Sequence, residues 1–410
     1  MNILFIAHRM PYPPNKGDKI RSYHILRHLA LRHAVYLATL IDDSNDLQHV
    51  QSLSSLVNQL SLDVIHPAVK RLLSSLALLQ YKPISAAYFY SRKLQAWIDN
   101  LLDTVDMDLV FCSSSPTAEY LFRSRHNNGK LKRSCRIMDL MDVDSCKWRQ
   151  YAERATGPMQ IIYRLEAKAL LRYEERIAGE FERLLLVSEA EKALFTQHIT
   201  VPHAQTMNNG VDLEYFSPSL RSSLKTSSPT LVFTGAMDYW PNVEGVEWFS
   251  HNVLPRIQTI FPKVTFYVVG RNPAASLRKL AGKNPGVKVT GYVKDVRDYL
   301  APADLCVAPL RIARGIQNKV LEAMAMAKAV VCTPEALEGI DAHPGEHVIE
   351  AGDAPSFADA VVDLLGNKAR AAELGRQARL FVEEHFSWPR NLSLLDDMLS
   401  TLSAHRGGRS

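Results

Sequence analysis

The segment Asp304-Leu-Cys-Val-Ala-Pro-Leu-Arg-Ile-Ala-Arg-Gly-Ile-Gln-Asn-Lys-Val-Leu-Glu-Ala-Met-Ala325 decides how this chain is read. Its first part, Asp304 to Pro309, is a short apolar run of strand type. Its second part has helical spacing and places Gly315 in the first turn. A helix N-terminus directly after a strand presents unpaired N–H groups and a positive dipole end, which together attract an anion. Gly315 lets the backbone approach a phosphate closely, and Arg311, Arg314 and Lys319 can offset its charge. On a helix, Gly315, Asn318, Lys319 and Glu322 share one face, while Ile316, Val320, Met324 and Ala327 form the apolar one. Lys319 is therefore a candidate diphosphate ligand, and Glu322 a candidate acceptor for two vicinal ribose hydroxyls. Read alone, the same pattern is an amphipathic helix with a surface Lys–Glu pair. The coincidence of a strand, a glycine and three cations favours the anion site.

Outward from this junction the chain shows one rhythm twice. In the first half, apolar runs at Asn2–Ala7, Val35–Ile41, Leu62–Ile65, Asp108–Cys112, Arg136–Met141 and Arg183–Val187 alternate with helix-length segments. The first of these helices is expected from Lys19 to Arg32, and a charged one, expected to present a solvated face, from Gln160 to Glu180. The pattern stops near Asn208-Asn-Gly-Val-Asp212, and the Ser/Pro/Thr-rich stretch Ser217–Thr230 reads as a linker. It restarts with Leu231–Thr234, a helix from about Asn242 to Ile260, and further runs at Val264–Gly270, Val287–Gly291, Asp304–Pro309 and Ala329–Thr333. Strands separated by helices imply parallel pairing with right-handed crossovers. The expectation is α/β: two Rossmann-like domains, 1–212 and 213–387, facing across a cleft. A last helix, 388–404 with Pro389 in its first turn, is expected to cross back to the first domain. The tail His405–Ser410 is expected to be disordered.

A length of 410 residues favours two domains. No stretch approaches the roughly 18 to 20 apolar residues of a membrane span. The N-terminus lacks a basic n-region and a cleavage site, so it reads as a first strand rather than a signal peptide. Five cysteines without a C-x-x-C pair suit buried thiols in a reducing cytoplasm. The net charge of +5 falls entirely within residues 1–210, a balance that suits an anionic membrane surface or a phosphate-bearing acceptor and calls for no nucleic acid. Ordinary solvated surface explains it equally well.

A family resemblance rests on pieces in a fixed order: Phe-Thr-Gly-Ala-Met-Asp-Tyr-Trp-Pro-Asn at 233–242, Val-Val-Gly-Arg-Asn-Pro at 268–273, Val-Thr-Gly-Tyr-Val-Lys-Asp-Val at 289–296, Arg311–Ala325, and Ala-Val-Val-Cys-Thr-Pro-Glu-Ala-Leu-Glu-Gly at 329–339. Together they resemble the donor domain of GT-B glycosyltransferases, specifically the large retaining group numbered family 4. Tyr-Trp-Pro-Asn, Arg-Gly-Ile-Gln-Asn-Lys and the upstream Cys-Ser-Ser-Ser-Pro-Thr-Ala-Glu-Tyr-Leu resemble, more narrowly, sugar transferases of bacterial PEP-CTERM/exosortase exopolysaccharide systems.

The resemblance implies a retaining transfer from a nucleotide-diphosphate sugar, with no cofactor beyond that donor and no metal. The donor would be held by Gly235, Gly291, Val293, Arg311, Arg314, Gly315, Gln317, Asn318, Lys319 and Glu322. Backbone near Gly291 to Val293 would read the base, and Glu322 the ribose. The chain also departs from the family. Arg314 stands where a glutamate usually lies near the transferred sugar. Ala236 and Asn242 occupy the region of the usual Arg and Lys of the first donor-domain loop. Arg311, Arg314 and Lys319 are expected to supply some of the missing positive charge.

In the N-terminal half, the loop Pro11–Arg21 would lie over the cleft, with Gly17 touching donor phosphate or acceptor; its bland alternative is a surface turn with Asp18 as helix N-cap. Asp142 or Asp144 is offered where related enzymes have a histidine against the sugar. Asp142-Val-Asp144 also spells the D-x-D of metal-dependent GT-A enzymes, which the two-lobed organisation disfavours. His8, directly after the first strand, is the histidine most worth testing. Leu72–Tyr90, with Lys70, Arg71, Lys82, Arg92 and Lys93 around it, suits either a buried helix or docking at the inner membrane surface, as a polyprenyl-linked acceptor would require; a glycan is the other acceptor implied. No H-E-x-x-H, G-x-S-x-G, Walker A or post-strand G-x-G-x-x-G pattern occurs. Two rivals share these features: a nucleotide-sugar epimerase and a catalytically silent binding or scaffold protein.

Overall fold

The computed structural model describes residues 1–14, 16–67, 70, 74, 77–78, 81–224, 226, 228–313 and 315–407. Two units are distinguished, Met1–Asn208 with Leu392–Ser410, and Asn209–Asn391.

In the first unit seven strands form one parallel sheet. They are β1 (Asn2–Ala7), β2 (Ala34–Ile41), β3 (Gln59–Val64), β4 (Leu109–Ser113), β5 (Cys135–Met141), β6 (Arg183–Leu186) and β7 (Ala204–Thr206), in the order β3-β2-β1-β4-β5-β6-β7. Central strands of a parallel sheet are covered on both faces, so they read as unbroken apolar runs. Ile3, Leu4, Phe5 and Ile6 of β1 are accordingly fully buried. Phe5 lies in register with Leu37 and Phe111, and its ring stacks on Phe111 at 4.9 Å. The strand order reverses between β1 and β4, and in such sheets ligands settle outside the carboxyl ends at that reversal.

The second unit repeats the design with six parallel strands: β8 (Thr230–Thr234), β9 (Thr265–Val269), β10 (Val287–Gly291), β11 (Leu305–Ala308), β12 (Val330–Cys332) and β13 (Ile349–Glu350). Their order is β10-β9-β8-β11-β12-β13, so the reversal falls between β8 and β11. Its core is continuous around Phe233, Phe249, Phe266, Val307, Met324 and Phe357. The expected helix after β8 is present but changes winding, from Trp240–Trp248 through a π-helical turn at Phe249–Val253 to Leu254–Ile260. Pro255 has no N–H to give to an α-helical ladder at that point.

Several expectations need correction. The first helix runs from Gly17 to Ala30 with Lys16 at its N-cap, so Asp18 is not the cap; its carboxylate faces His8 and Arg9 instead. The helix Pro158–Glu180 is not a solvated face alone: Glu166 and Glu174 are both fully buried. The last helix continues to Gly407, through the first residues of the tail. Within Leu72–Tyr90, most of the first nine residues and Arg71 lie outside the described residues. At its end Lys70 Nζ donates to the Tyr90 carbonyl at 2.6 Å, and the helix Ile84–Tyr88 buries Ala86. No described helix is long and apolar enough to cross a membrane.

Candidate functional site

The carboxyl end of β11 leads through a loop to the helix Asn318–Ala325, two of whose buried residues, Val320 and Met324, anchor it to the core. The helix starts at Asn318, not at Gly315. Gly315 sits in the preceding loop at φ +62°, with no atom beyond its chain neighbours within 4 Å of where a Cβ would be. Its left-handed backbone and open surroundings fit a close approach by a ligand. Arg314 lies outside the described residues. Gln317 occupies the N-cap and turns its amide nitrogen back to the Gly315 carbonyl at 3.1 Å, so its side chain caps nothing in the helix. The Val320 N–H donates to the Gln317 carbonyl at 2.9 Å, and in the same turn Asn318 Oδ1 is buried without a hydrogen-bond partner.

Lys319 is half-buried and points toward the loop that follows β8. Its Nζ donates to Asn242 Oδ1 at 2.8 Å, reaches Gln317 Oε1 at 3.5 Å, and lies 5.2 Å from the Phe233 ring centroid. Burial pushes its ammonium down to about 8, against the pull of Glu322. Burial also pushes Glu322 up to about 7, against the pull of Lys319. Both groups therefore change charge near neutral pH. Such shifts collect where groups are held for binding or catalysis.

The β8 loop completes this junction. The Gly235 N–H donates to the Val269 carbonyl at 3.0 Å, and a Cβ on Gly235 would meet Asn242 Nδ2 at 2.7 Å. Gly235, Asn242, Lys319 and Glu322 are thus gathered at the β8–β11 reversal. Arg311 is arranged differently. Its guanidinium is held by Glu244 on the helix Trp240–Trp248, with Nε to Oε1 at 2.8 Å, and lies over Trp248. Its charge is thus shared with a carboxylate. Gly291 (φ +72°, in open space) ends β10 and the half-buried Val293 follows it; β10 is separated from β8 by β9.

In the first unit, Gly17 is the exposed first residue of its helix. Asp142 is half-exposed and pairs with Lys147 at 3.1 Å. Asp144 is half-buried and accepts the Ser115 hydroxyl at 2.6 Å; burial raises its carboxyl, opposed by Lys147 and Ser115. Asp139, within β5, is instead buried in an ion pair with Arg21 at 2.8 Å. His8 bridges the Asp18 carboxylate at 3.2 Å and the Ser113 carbonyl at 3.4 Å, so both ring nitrogens face acceptors. Although burial opposes it, His8 and Arg9 hold the Asp18 carboxyl well below the usual carboxylate range.

Sequence reading missed the supports of this loop. Glu191 accepts the Val143 N–H at 2.8 Å, and Glu174 accepts the Ser145 N–H at 2.9 Å and its hydroxyl at 2.5 Å. Burial raises Glu174 to about 8. These partners lie 29 and 48 residues away, beyond any local spacing. Among the described residues, no group of three or more His, Cys, Asp or Glu is placed to hold a metal ion.

Comparison with known proteins completes the picture. Residues 228–367 match the family model described as glycosyl transferases group 1. The chain is similar in structure to sucrose-phosphate synthase from Thermosynechococcus elongatus, at 17% identity and TM-score 0.75, over 99% of this chain and 100% of that one. HepE of Anabaena, solved with UDP, matches at 16% identity and TM-score 0.68, over 98% and 100%. Its complex with UDP-glucose matches at 15% identity and TM-score 0.70, over 98% and 100%. Comparison with curated proteins gives no match. Residues 228–367 thus form a glycosyl transferases group 1 domain, in a chain of two parallel-sheet Rossmann-like units that has the fold of GT-B glycosyltransferases.

Proposed function

We propose that this chain is a retaining glycosyltransferase that moves a sugar from a nucleotide-diphosphate donor, a UDP- or GDP-sugar, to a glycan or lipid-linked acceptor. The observation that carries the reading is the junction at the β8–β11 reversal, where Gly315, Lys319 and Glu322 lie inside the segment that matches the group 1 model. The complexes of HepE with UDP and UDP-glucose support a uridine donor.

The chemistry follows from charge. Departure of a nucleoside diphosphate builds negative charge on phosphate and positive charge on the sugar ring. A fixed ammonium and a helix N-terminus placed beside the phosphate stabilise that separation without reorganising. In this reading Lys319 and the N–H groups at Gly315–Asn318 hold the diphosphate, Glu322 accepts the ribose hydroxyls, and the backbone at Gly291–Val293 reads the base. Gly17, Asp142 and Asp144 face the sugar or acceptor. The leaving phosphate takes the acceptor hydroxyl's proton as the new glycosidic bond forms on the same face. The reading extends to exopolysaccharide synthesis in the cytoplasm, with peripheral contact at the inner membrane surface; five buried free thiols suit that compartment.

The test incubates purified protein with UDP- and GDP-sugars, with and without membrane extract as acceptor source. Acceptor-dependent release of nucleoside diphosphate is expected, and it should persist in EDTA. Sugar conversion without acceptor identifies an epimerase, and binding without turnover a scaffold; either overturns the reading. Loss of turnover in EDTA with recovery on adding Mn²⁺ overturns its metal-independent part.

A further inference from the structure

We propose that Asn242 is a positioning residue, which aims the Lys319 ammonium at the donor diphosphate while leaving its charge whole; this rests on the donor-binding reading above. Asn242 is only 4% exposed, and both ends of its amide are engaged. Nδ2 donates to the Ala236 carbonyl at 2.9 Å, and Oδ1 accepts Lys319 Nζ at 2.8 Å. The Ala236 bond sets the direction of the amide. Reversed, the NH₂ group would face an ammonium, donor against donor, and the carbonyl bond would be lost.

The space for this arrangement is also specific. A Cβ on Gly235 would press on Asn242 Nδ2 at 2.7 Å, so the glycine makes room for the amide that holds Lys319. An ammonium has three donors. One is spent on Asn242 and a second reaches Gln317 Oε1 only at 3.5 Å, which leaves donor capacity for an anion. Among the described residues, the groups recorded around Nζ are Asn242, Gln317, the Phe233 ring and, one turn along the helix, Glu322. Only Glu322 among them is a carboxylate. A neutral acceptor is what this position requires. A carboxylate at 242 would cancel the charge offered to phosphate, and a second cation would repel Lys319.

The test measures UDP and GDP binding to the full chain by calorimetry across pH 6 to 9.5, for wild type, Asn242→Ala, Asn242→Asp, Lys319→Ala and the Asn242→Ala/Lys319→Ala double variant. Asn242→Ala should weaken UDP binding about tenfold in the wild-type background and less than about twofold in the Lys319→Ala background, as expected of two coupled side chains. Asn242→Asp should weaken binding and move the alkaline loss of affinity upward by about one pH unit, because a carboxylate holds the proton on Lys319. Melting curves check folding, and the near-isosteric aspartate keeps the test alive should the alanine variant not fold. Equal costs in both backgrounds, or an aspartate variant with wild-type affinity and pH profile, overturn the proposal. If wild type binds no nucleoside diphosphate, the donor-binding reading itself fails; binding that is insensitive to position 242 sinks only the positioning role.

Discussion

Gly270 and Gly235 are in backbone contact: a Cβ at position 270 would lie 1.6 Å from the Gly235 carbonyl oxygen. The two glycines follow β9 and β8, and their contact brings together the turns after those strands. Backbone cannot yield as a flexible side chain does. Gly270→Ala should therefore destabilise the protein by about 3 kcal/mol or more, in the range of severe core disruptions. Urea unfolding measures it, and a wild-type midpoint would show that the loop can move aside.

Gly315 is the opposite case. Its φ of +62° strains an L-residue, yet a Cβ there meets open space. Gly315→Ala should cost about 1 to 2 kcal/mol of stability from backbone strain. It should also weaken UDP binding, because the methyl group occupies the approach proposed for phosphate. Calorimetry that shows unchanged affinity would remove Gly315 from the site.

Under the proposed donor-binding role, Lys319 and Glu322 should set the pH range of binding. Burial places Lys319 at about 8, so its charge is lost as pH rises through that value. Burial places Glu322 at about 7, so its carboxylate is lost as pH falls through that value. UDP affinity should peak between the two and fall on both sides. Glu322→Gln should remove the acid limb and move the alkaline limb to lower pH, because Lys319 loses the carboxylate that helps hold its proton; persistence of the acid limb counts against Glu322.

Arg311 and Lys319 should not be equivalent. Arg311 is exposed and held by Glu244, whereas Lys319 has neutral hydrogen-bond partners. Arg311→Ala should change stability by less than about 1 kcal/mol, as for other exposed ion pairs. By titration of UDP at fixed salt, it should weaken binding less than Lys319→Ala does. The reverse order would make Arg311 the principal phosphate ligand.

Glu174 predicts a stability effect with a definite sign. Its carboxyl is raised from 4.5 to about 8 by burial, so between these values the folded chain holds a proton that the unfolded chain has released. Its contribution therefore declines as pH rises from about 4.5 through about 8. Glu174→Gln is neutral throughout and should show a smaller drop in melting temperature between pH 6 and 8.5. An equal or larger drop would mean that Glu174 is ionised in the fold.

How far residues can be read depends on how far their partners lie along the chain. The runs that became β1, β2, β4, β5, β8, β9 and β11 were visible because a strand buried on both faces must be apolar along its own length. The strands β7 and β13, of three and two residues, carry too few positions for any period and exist because a neighbouring strand offers hydrogen bonds. The same contrast holds at the site. Gly315, Lys319 and Glu322 stand close together in sequence, so their grouping could be read directly. Asn242 is 77 residues from Lys319, and Ser115 is 29 from Asp144.

The sequence by itself determined two Rossmann-like α/β halves and a strand-to-helix junction suited to phosphate, because hydrophobic period and helix-start chemistry are local. Only the tertiary structure decided which charges are free to act. Arg21, Lys19 and Arg311 read alike as cations, but the fold pairs them with Asp139, Asp46 and Glu244. It leaves Lys319 on the neutral amide of Asn242. A charge acts on a ligand only so far as its neighbours have not already compensated it, and those neighbours are chosen by packing.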